Sequence, residues 1–343
     1  MRSPFILTTF VCMLVLGACS ASAASSSQQP IHLRLGYFPN VTHAAAVVGV
    51  AQGIFATALG PGVVLDTRTF NAGPTATEAL LSGSLDATFI GPNPAINAFI
   101  KSGGTAIRII SGATSGGAFL IVRNGINTPA DLRGTHIATP QLGNTQDVAL
   151  RSWLAQQGFT TNVEGGGDVS IMPQDNAQTL QAFMSGQIDG AWVPEPWATR
   201  MVKNGGGHVL VDERDLWPGG QYVTTQLIVR TDFLVQHPDA VKALLQGQLM
   251  ATDYINNHPS DAQATLGGAL MQLTGSTLSP DVIAASWNNL TFTVDPIASS
   301  LQASANAAQK LGFIDSSNLT GIYDLKLLNE VLGTAGRPLI SQP

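Results

Sequence analysis

Hydrophobic and polar positions along the chain repeat one pattern: a short apolar run, a loop of small polar residues, then a stretch with apolar positions at helical spacing. The apolar runs predict strands over 31–38, 63–70, 86–90 and 107–112, with helices over 42–52, 75–82 and 94–101 between them. The pattern then starts again. It predicts strands over 119–123, 136–139, 169–172, 188–193 and 209–212, and helices over 145–157 and 176–185. A long alternating run over 222–230 reads as one more strand. Beyond it the spacing is nearly all helical, over 238–256, 259–273, 280–287, 297–311 and 319–332. Several of these begin with Pro near the first helical position or with an Asp or Ser cap.

Strands alternating with helices imply an α/β fold. Two such blocks, joined by chain crossings near 115–118 and 221–226, imply two lobes about a hinge. The expected division places 31–117 and 225–343 in lobe 1, with the C-terminal helices packed back onto it, and 118–224 in lobe 2. Each lobe is then a mixed sheet flanked by helices, with a ligand cleft between the lobes.

The loops that open the helices differ in chemistry. They are Tyr37-Phe38-Pro39-Asn40, Asn71-Ala72-Gly73-Pro74, Gly91-Pro92-Asn93-Pro94 and Gln141-Leu142-Gly143-Asn144-Thr145. In open α/β sheets ligands bind outside the carboxyl ends of the strands, where helix N-termini present free N–H groups. These loops carry almost no Lys, Arg, Asp or Glu, which points to a small anionic ligand gripped by backbone dipoles and neutral donors.

Composition narrows the class. Charged residues are only 11% of the 343 and hydrophobic ones 44%, which suits a compact two-domain α/β protein and not a disordered one. A net charge of −6 and the absence of any basic run argue against a nucleic-acid partner. No H-e-x-x-H or similar spacing suggests a metal, and nothing implies a cofactor.

The chain opens as a secretory signal, with Arg2 as the positive region and an apolar run over 5–16 too short to span a bilayer. Leu16-Gly17-Ala18-Cys19 looks like a bacterial lipobox, which gives a signal over 1–18, a lipidated Cys19 and a flexible tether over 19–30. Ordinary cleavage near 21–24 is the alternative. The other cysteine, Cys12, lies within the signal, so the folded body has no disulfide or cysteine metal site.

The sequence resembles the substrate-binding proteins of ABC importers for sulfonates, taurine and nitrate, which have the two-lobed type II periplasmic-binding-protein fold. The resemblance rests on Gly36 to His43, on Gly53-Ile54-Phe55, and on a pair of small-Gly-x-hydrophobic-Asp motifs, Ser82-Gly83-Ser84-Leu85-Asp86 and Ser185-Gly186-Gln187-Ile188-Asp189. Gly91-Pro92-Asn93-Pro94, Asp131-Leu132-Arg133-Gly134 and Val193-Pro194-Glu195-Pro196-Trp197 extend it, and together these cover roughly 33–256 in order.

The resemblance implies ligand contacts at Tyr37, Phe38, Asn40, Asn71, Gly73, Gly91, Asn93, Ser115, Gly116, Gly117, Gln141, Asn144, Thr145, Glu195 and Trp197. Each has a structural reading beside it. Asn93, Asn144 and Thr145 are also fit to cap helices, and Gly116-Gly117 to form a hinge. His43 reads as a buried or capping histidine. Glu195 either pairs with an ammonium on the ligand, as the resemblance to taurine-binding relatives suggests, or caps the next helix or pairs with Arg200.

The function implied is an extracytoplasmic, lipid-anchored, monomeric binding protein that delivers a small anionic or zwitterionic solute, an organosulfonate, to an ABC permease. Nitrate, bicarbonate or a thiamine-pyrimidine precursor are alternative solutes. An enzyme of the thiamine-pyrimidine type is disfavoured, since it would need a cysteine cluster and the mature chain has only Cys19.

Overall fold

The computed structural model describes Met1 and residues 29–341. The expected signal, Cys19 and almost all of the tether lie outside the described residues. The chain first lays down β1 (Ile31–Tyr37), α1 (Ala44–Ala51), α2 (Ile54–Leu59), β2 (Val63–Thr69), α3 (Gly73–Leu81), β3 (Ala87–Ile90), α4 (Pro92–Lys101) and β4 (Ile107–Gly116). A second block follows: β5 (Ala118–Val122), β6 (His136–Thr139), α5 (Thr145–Gln156), β7 (Ser170–Pro173), α6 (Asn176–Met184), β8 (Gly190–Pro194), α7 (Trp197–Lys203) and β9 (His208–Asp212). The remainder is β10 (Val223–Arg230), α8 (Thr231–Gln236), α9 (Pro238–Asn257), α10 (Pro259–Thr274), α11 (Pro280–Trp287), β11 (Leu290–Phe292), α12 (Ala298–Lys310) and α13 (Lys326–Thr334).

Two mixed sheets result, in the order β11-β4-β10-β3-β1-β2 and β7-β6-β8-β5-β9. In each, four strands share one direction: β1, β2, β3 and β4 run against β10 and β11, and β6, β7, β8 and β9 run against β5. The central strands β3, β5 and β8 are buried along their whole length, because helices cover both faces. That is why they read as unbroken apolar runs.

The two small-Gly-x-hydrophobic-Asp motifs do the same physical job in each sheet. Gly83 and Gly186 take positive φ (76° and 79°) just past α3 and α6 and so end those helices. The Asp that follows then ties down the neighbouring parallel strand. Asp86 accepts the Arg34 N–H at 2.9 Å and pairs with the Arg34 guanidinium; Asp189 accepts the His136 N–H at 2.8 Å and pairs with Arg123.

Three features depart from the sequence expectation. β4 runs on to Gly116, where β11, an unexpected short strand, pairs with it. α2, α7 and α8 are additional short helices. The helix expected over 319–332 begins only at Lys326. Before it the chain is extended and pairs with Ile109: the Ile109 N–H donates to Ile322 O, and the Asp324 N–H donates to Ile109 O.

The crossings between the sheets lie side by side. Gly116 and Gly117 have φ of 82° and 76°, and they join β4 directly to β5. The Tyr222 hydroxyl accepts from Ala118 N–H at 3.1 Å, Thr224 Oγ1 donates to Gly116 O at 2.6 Å, and Tyr222 N–H donates to Ser115 Oγ at 3.3 Å. Nearby, Glu213 is fully buried and accepts from Trp192 Nε1–H at 2.8 Å.

Burial pushes the Glu213 carboxyl up from 4.5 to about 7, and the adjacent Asp212 charge adds to this. The folded protein therefore holds this proton more tightly than the unfolded chain, and stability falls as pH rises through that window, by roughly 3 kcal/mol. Glu213→Gln keeps an acceptor for the Trp192 indole and removes the titration. Denaturation measured between about pH 5 and 8 is expected to show a shallower decline in the variant than in the parent.

Candidate functional site

The carboxyl ends of β1, β2 and β3 face those of β6, β7 and β8 across a cleft between the two sheets. Each strand hands the chain to a helix, so several helix starts converge there. At the bottom is a cavity of about 40 Å³. The first lobe contributes Phe38, Asn40, Thr42, His43, Asn71, Ala72, Gly73, Gly91 and Pro94 to it. The second contributes Pro140, Asn144, Thr145, Gln146, Asn176 and Pro194, and the crossing strand β10 contributes Thr224 and Thr225. Among the described residues, no Lys, Arg, Asp or Glu lines it.

The helix starts are not equivalent. At α5, Asn144 Oδ1 accepts the Asp147 N–H at 2.9 Å, which leaves the Thr145 and Gln146 N–H groups without helical acceptors. Asp147, in the same first turn, is fully buried. Its carboxylate accepts from Gly143 N–H, Thr139 Oγ1 and Arg151 Nε at 2.9, 2.9 and 3.0 Å, so Arg151 matches its charge. In the first lobe, by contrast, prolines occupy the first turns: Pro74 in α3, and Pro92 and Pro94 in α4. Proline has no N–H to offer.

Side chains supply further neutral donors. His43 Nδ1 accepts from Phe38 N–H at 3.3 Å, and the imidazole stacks on the Phe38 ring at 4.4 Å. That bond places the ring proton on Nε2. Burial pulls the His43 pKa down to about 3, so the ring stays neutral and its Nε2–H is a donor without charge. Asn40 Oδ1 accepts from Trp197 Nε1–H at 3.1 Å across the lobes, which leaves the Asn40 amide N–H₂ free to donate. The Thr225 hydroxyl, which can donate, is buried on the cavity wall with no partner among the described residues, and Asn176 Oδ1, an acceptor, is buried there likewise. A convergent set of neutral donors and one helix start can bind an oxyanion.

Two larger spaces flank the central cavity. One of about 450 Å³ shares Asn40, Asn71 and Asn176 with it and includes Phe70, Leu180, Trp197, Arg200 and Leu270. The other, of about 610 Å³, includes Thr69, Asn71, Pro140, Gln141 and Asp175.

Of the expected ligand residues, Phe38, Asn40, Asn71, Gly73, Gly91, Asn144 and Thr145 meet at the central cavity. Gln141 and Trp197 line the flanking spaces. The others lie elsewhere. The Tyr37 ring is buried, and its hydroxyl bonds Thr67. Asn93 turns away, its amide donating to Ser304 O at 3.4 Å. Ser115, Gly116 and Gly117 belong to the crossing, where a Cβ on Gly117 would come within 2.2 Å of Leu290 Cδ2.

Glu195 also faces away from the cavities described here. It is 1% exposed, and its carboxylate accepts from Thr199 N–H and Oγ1 at the start of α7, from Ser286 Oγ at 3.1 Å and from Asn289 Nδ2 at 2.7 Å. It is therefore a helix cap tied to the C-terminal helices. Arg200 stacks on Trp197 instead of pairing with it. Burial raises the Glu195 pKa, against the opposing effect of these hydrogen bonds.

Sequence reasoning missed Thr42, Gln146, Asn176, Thr224 and Thr225, and placed His43 in the interior without giving it a role at the site. Asn176 follows β7 in the same strand–loop–helix pattern that marked the other loops, so a signal existed for it.

The NMT1-like family profile matches residues 26–267. The chain belongs to this family. Among relatives, it is 29% identical over 185 residues to a protein of Brucella abortus (strain 2308) whose name goes no further than a binding function, covering 54% of this chain and 55% of that one. It is 28% identical over 205 residues to the taurine-binding periplasmic protein of Escherichia coli (strain K12), covering 59% and 61%. The match thus spans little more than half the length of these relatives. Among solved structures, the alkanesulfonate-binding protein SsuA from Xanthomonas axonopodis pv. citri, bound to MOPS, superposes with a TM-score of 0.71 at 21% identity over 85% of this chain and 96% of that one. That likeness shows the fold, the two-lobed architecture of periplasmic binding proteins.

Gly91 reports on how tightly the lobes meet. Its backbone conformation suits any residue, yet a Cβ there would lie 2.5 Å from Thr145 Oγ1 across the cleft. Gly91→Ala is expected to weaken ligand affinity by roughly tenfold, since overpacking typically costs 1–3 kcal/mol. The melting temperature without ligand is expected to change little. Titration calorimetry and a thermal melt check both.

Proposed function

We propose that the protein is the extracytoplasmic solute-binding component of an ABC importer, and that it captures a small organic oxyanion, an organosulfonate, for delivery to the permease. The observation that carries this reading is the interlobe cavity lined by neutral donors and the open N–H groups of α5, with no charged side chain on its wall among the described residues. Such a wall suits a full negative charge that must be released again, because no fixed cation holds it. The flanking spaces give room for an organic body attached to the oxyanion. Family membership and the names of the taurine- and alkanesulfonate-binding relatives support the solute class. Anchoring through a lipidated Cys19 and action as a monomer belong to the same proposal.

A thermal-shift panel of ethanesulfonate, taurine, nitrate, bicarbonate and a thiamine pyrimidine precursor tests it. A ligand at about 100 times its Kd adds roughly 2.7 kcal/mol. Ethanesulfonate is expected to raise the melting temperature at least as much as taurine, since Glu195 is sealed from the cavity and offers no partner to an ammonium. Stabilisation by nitrate or the pyrimidine, with none from any sulfonate, would replace the solute assignment.

Removing one donor provides a second check. Thr145→Val keeps the shape of the side chain and loses the hydroxyl. It is expected to raise the Kd for ethanesulfonate by roughly tenfold, the usual worth of a hydrogen bond to a charged group.

A further inference from the structure

The 450 Å³ chamber beside the central cavity has a composition of its own. Phe70, Leu180, Leu270 and Leu278 give it apolar walls, and Trp197 stands where it meets Asn40. Arg200 lies over the Trp197 ring with its guanidinium carbon 4.6 Å from the ring centroid. Among the described residues, that half-buried guanidinium has no ion pair and no hydrogen-bond acceptor. The other half-buried arginines all have one or the other: Arg34, Arg123, Arg214 and Arg230 pair with aspartates, and Arg108 donates to Gly104 O and Ile107 O. Burial lowers the Arg200 pKa, the mark of a cation stripped of water without a partner to replace it. Asp175, the one carboxylate on this wall, is exposed and lies outside pairing distance.

We infer that this chamber is a second subsite and that Arg200 receives an acidic group at the far end of the solute. This deepens the organic-oxyanion reading and rests on it. The preferred ligand has an oxyanion head at the start of α5, an apolar or aromatic body that passes the Trp197 indole, and a second anionic group on Arg200. A guanidinium stacked on an aromatic ring is pre-organised for such a group, since its planar fork binds carboxylates in two-point fashion. A zwitterion like taurine would turn its ammonium toward a like charge.

The test is titration calorimetry of the full chain with three sulfonates. Methanesulfonate carries the head alone, 4-toluenesulfonate adds the body, and 4-sulfobenzoate adds the second acid. The expected order of affinity is 4-sulfobenzoate, then 4-toluenesulfonate, then methanesulfonate, with the second acid adding roughly tenfold. Arg200→Gln is expected to erase that last step while leaving methanesulfonate binding as it was, which also shows that the variant folds. If 4-sulfobenzoate binds no more tightly than 4-toluenesulfonate, or if Arg200→Gln weakens all three equally, the subsite is overturned. If methanesulfonate alone binds, the subsite falls and the oxyanion reading stands. If none binds, both fall together.

Discussion

The fold depends on the paired crossing between its two sheets. The chain leaves the first sheet through Gly116-Gly117 and returns through Tyr222, and hydrogen bonds from Tyr222 and Thr224 join the two passages into one strap. Each sheet then takes its central antiparallel strand from this strap: β5 on the outward pass and β10 on the return. The glycines are needed because Asn289 and Leu290 press against them, and Glu195 adds a further bond from its N–H to Gly117 O. Both covalent connections between the sheets run through this strap, which is the geometry a hinge between two lobes requires. The helix starts of the cleft lie on either side of it.

Charge in the cleft is managed by exclusion. The interior near the cavity does hold ions, Asp147 and Arg151, but they neutralise each other beneath α5 and do not reach the wall. A buried pair of this kind adds little to stability by itself. Its role here is to fix the α5 first turn, since Asp147 also binds Gly143 N–H and Thr139 Oγ1. His43 follows the same rule, kept neutral by burial and fixed in one tautomer by the Phe38 N–H.

Much of this was legible in the sequence because it rests on local pattern. Apolar runs followed by small polar loops marked β1, β2, β3 and β6 and the helices after them, and those loops gave Asn40, Asn71, Gly91, Asn144 and Thr145 at the cavity. Where the reading left alternatives open, missed a residue or misplaced a helix start, the cause was distant in the chain. Glu195 sits in a loop with the right local appearance, but Ser286 and Asn289 capture its carboxylate from the far end of the sequence. Thr224 and Thr225 reach the cleft only because β10 crosses back beside it. The stretch before Lys326 has helical spacing, yet the edge of β4 competes for its backbone at Ile109 and wins.

The prolines at the first-lobe helix starts make the two jaws of the cleft unlike. Pro74, Pro92 and Pro94 leave only the separate N–H groups of Gly73, Thr75 and Asn93 in the first turns on one side of the cleft, while α5 keeps those of Thr145 and Gln146 on the other. In the first turns of α3 and α4 no two successive N–H groups remain, whereas Thr145 and Gln146 are adjacent in α5. A paired N–H cradle is thus built into one jaw, and the other faces it with isolated N–H groups and the side chains of Asn40 and His43.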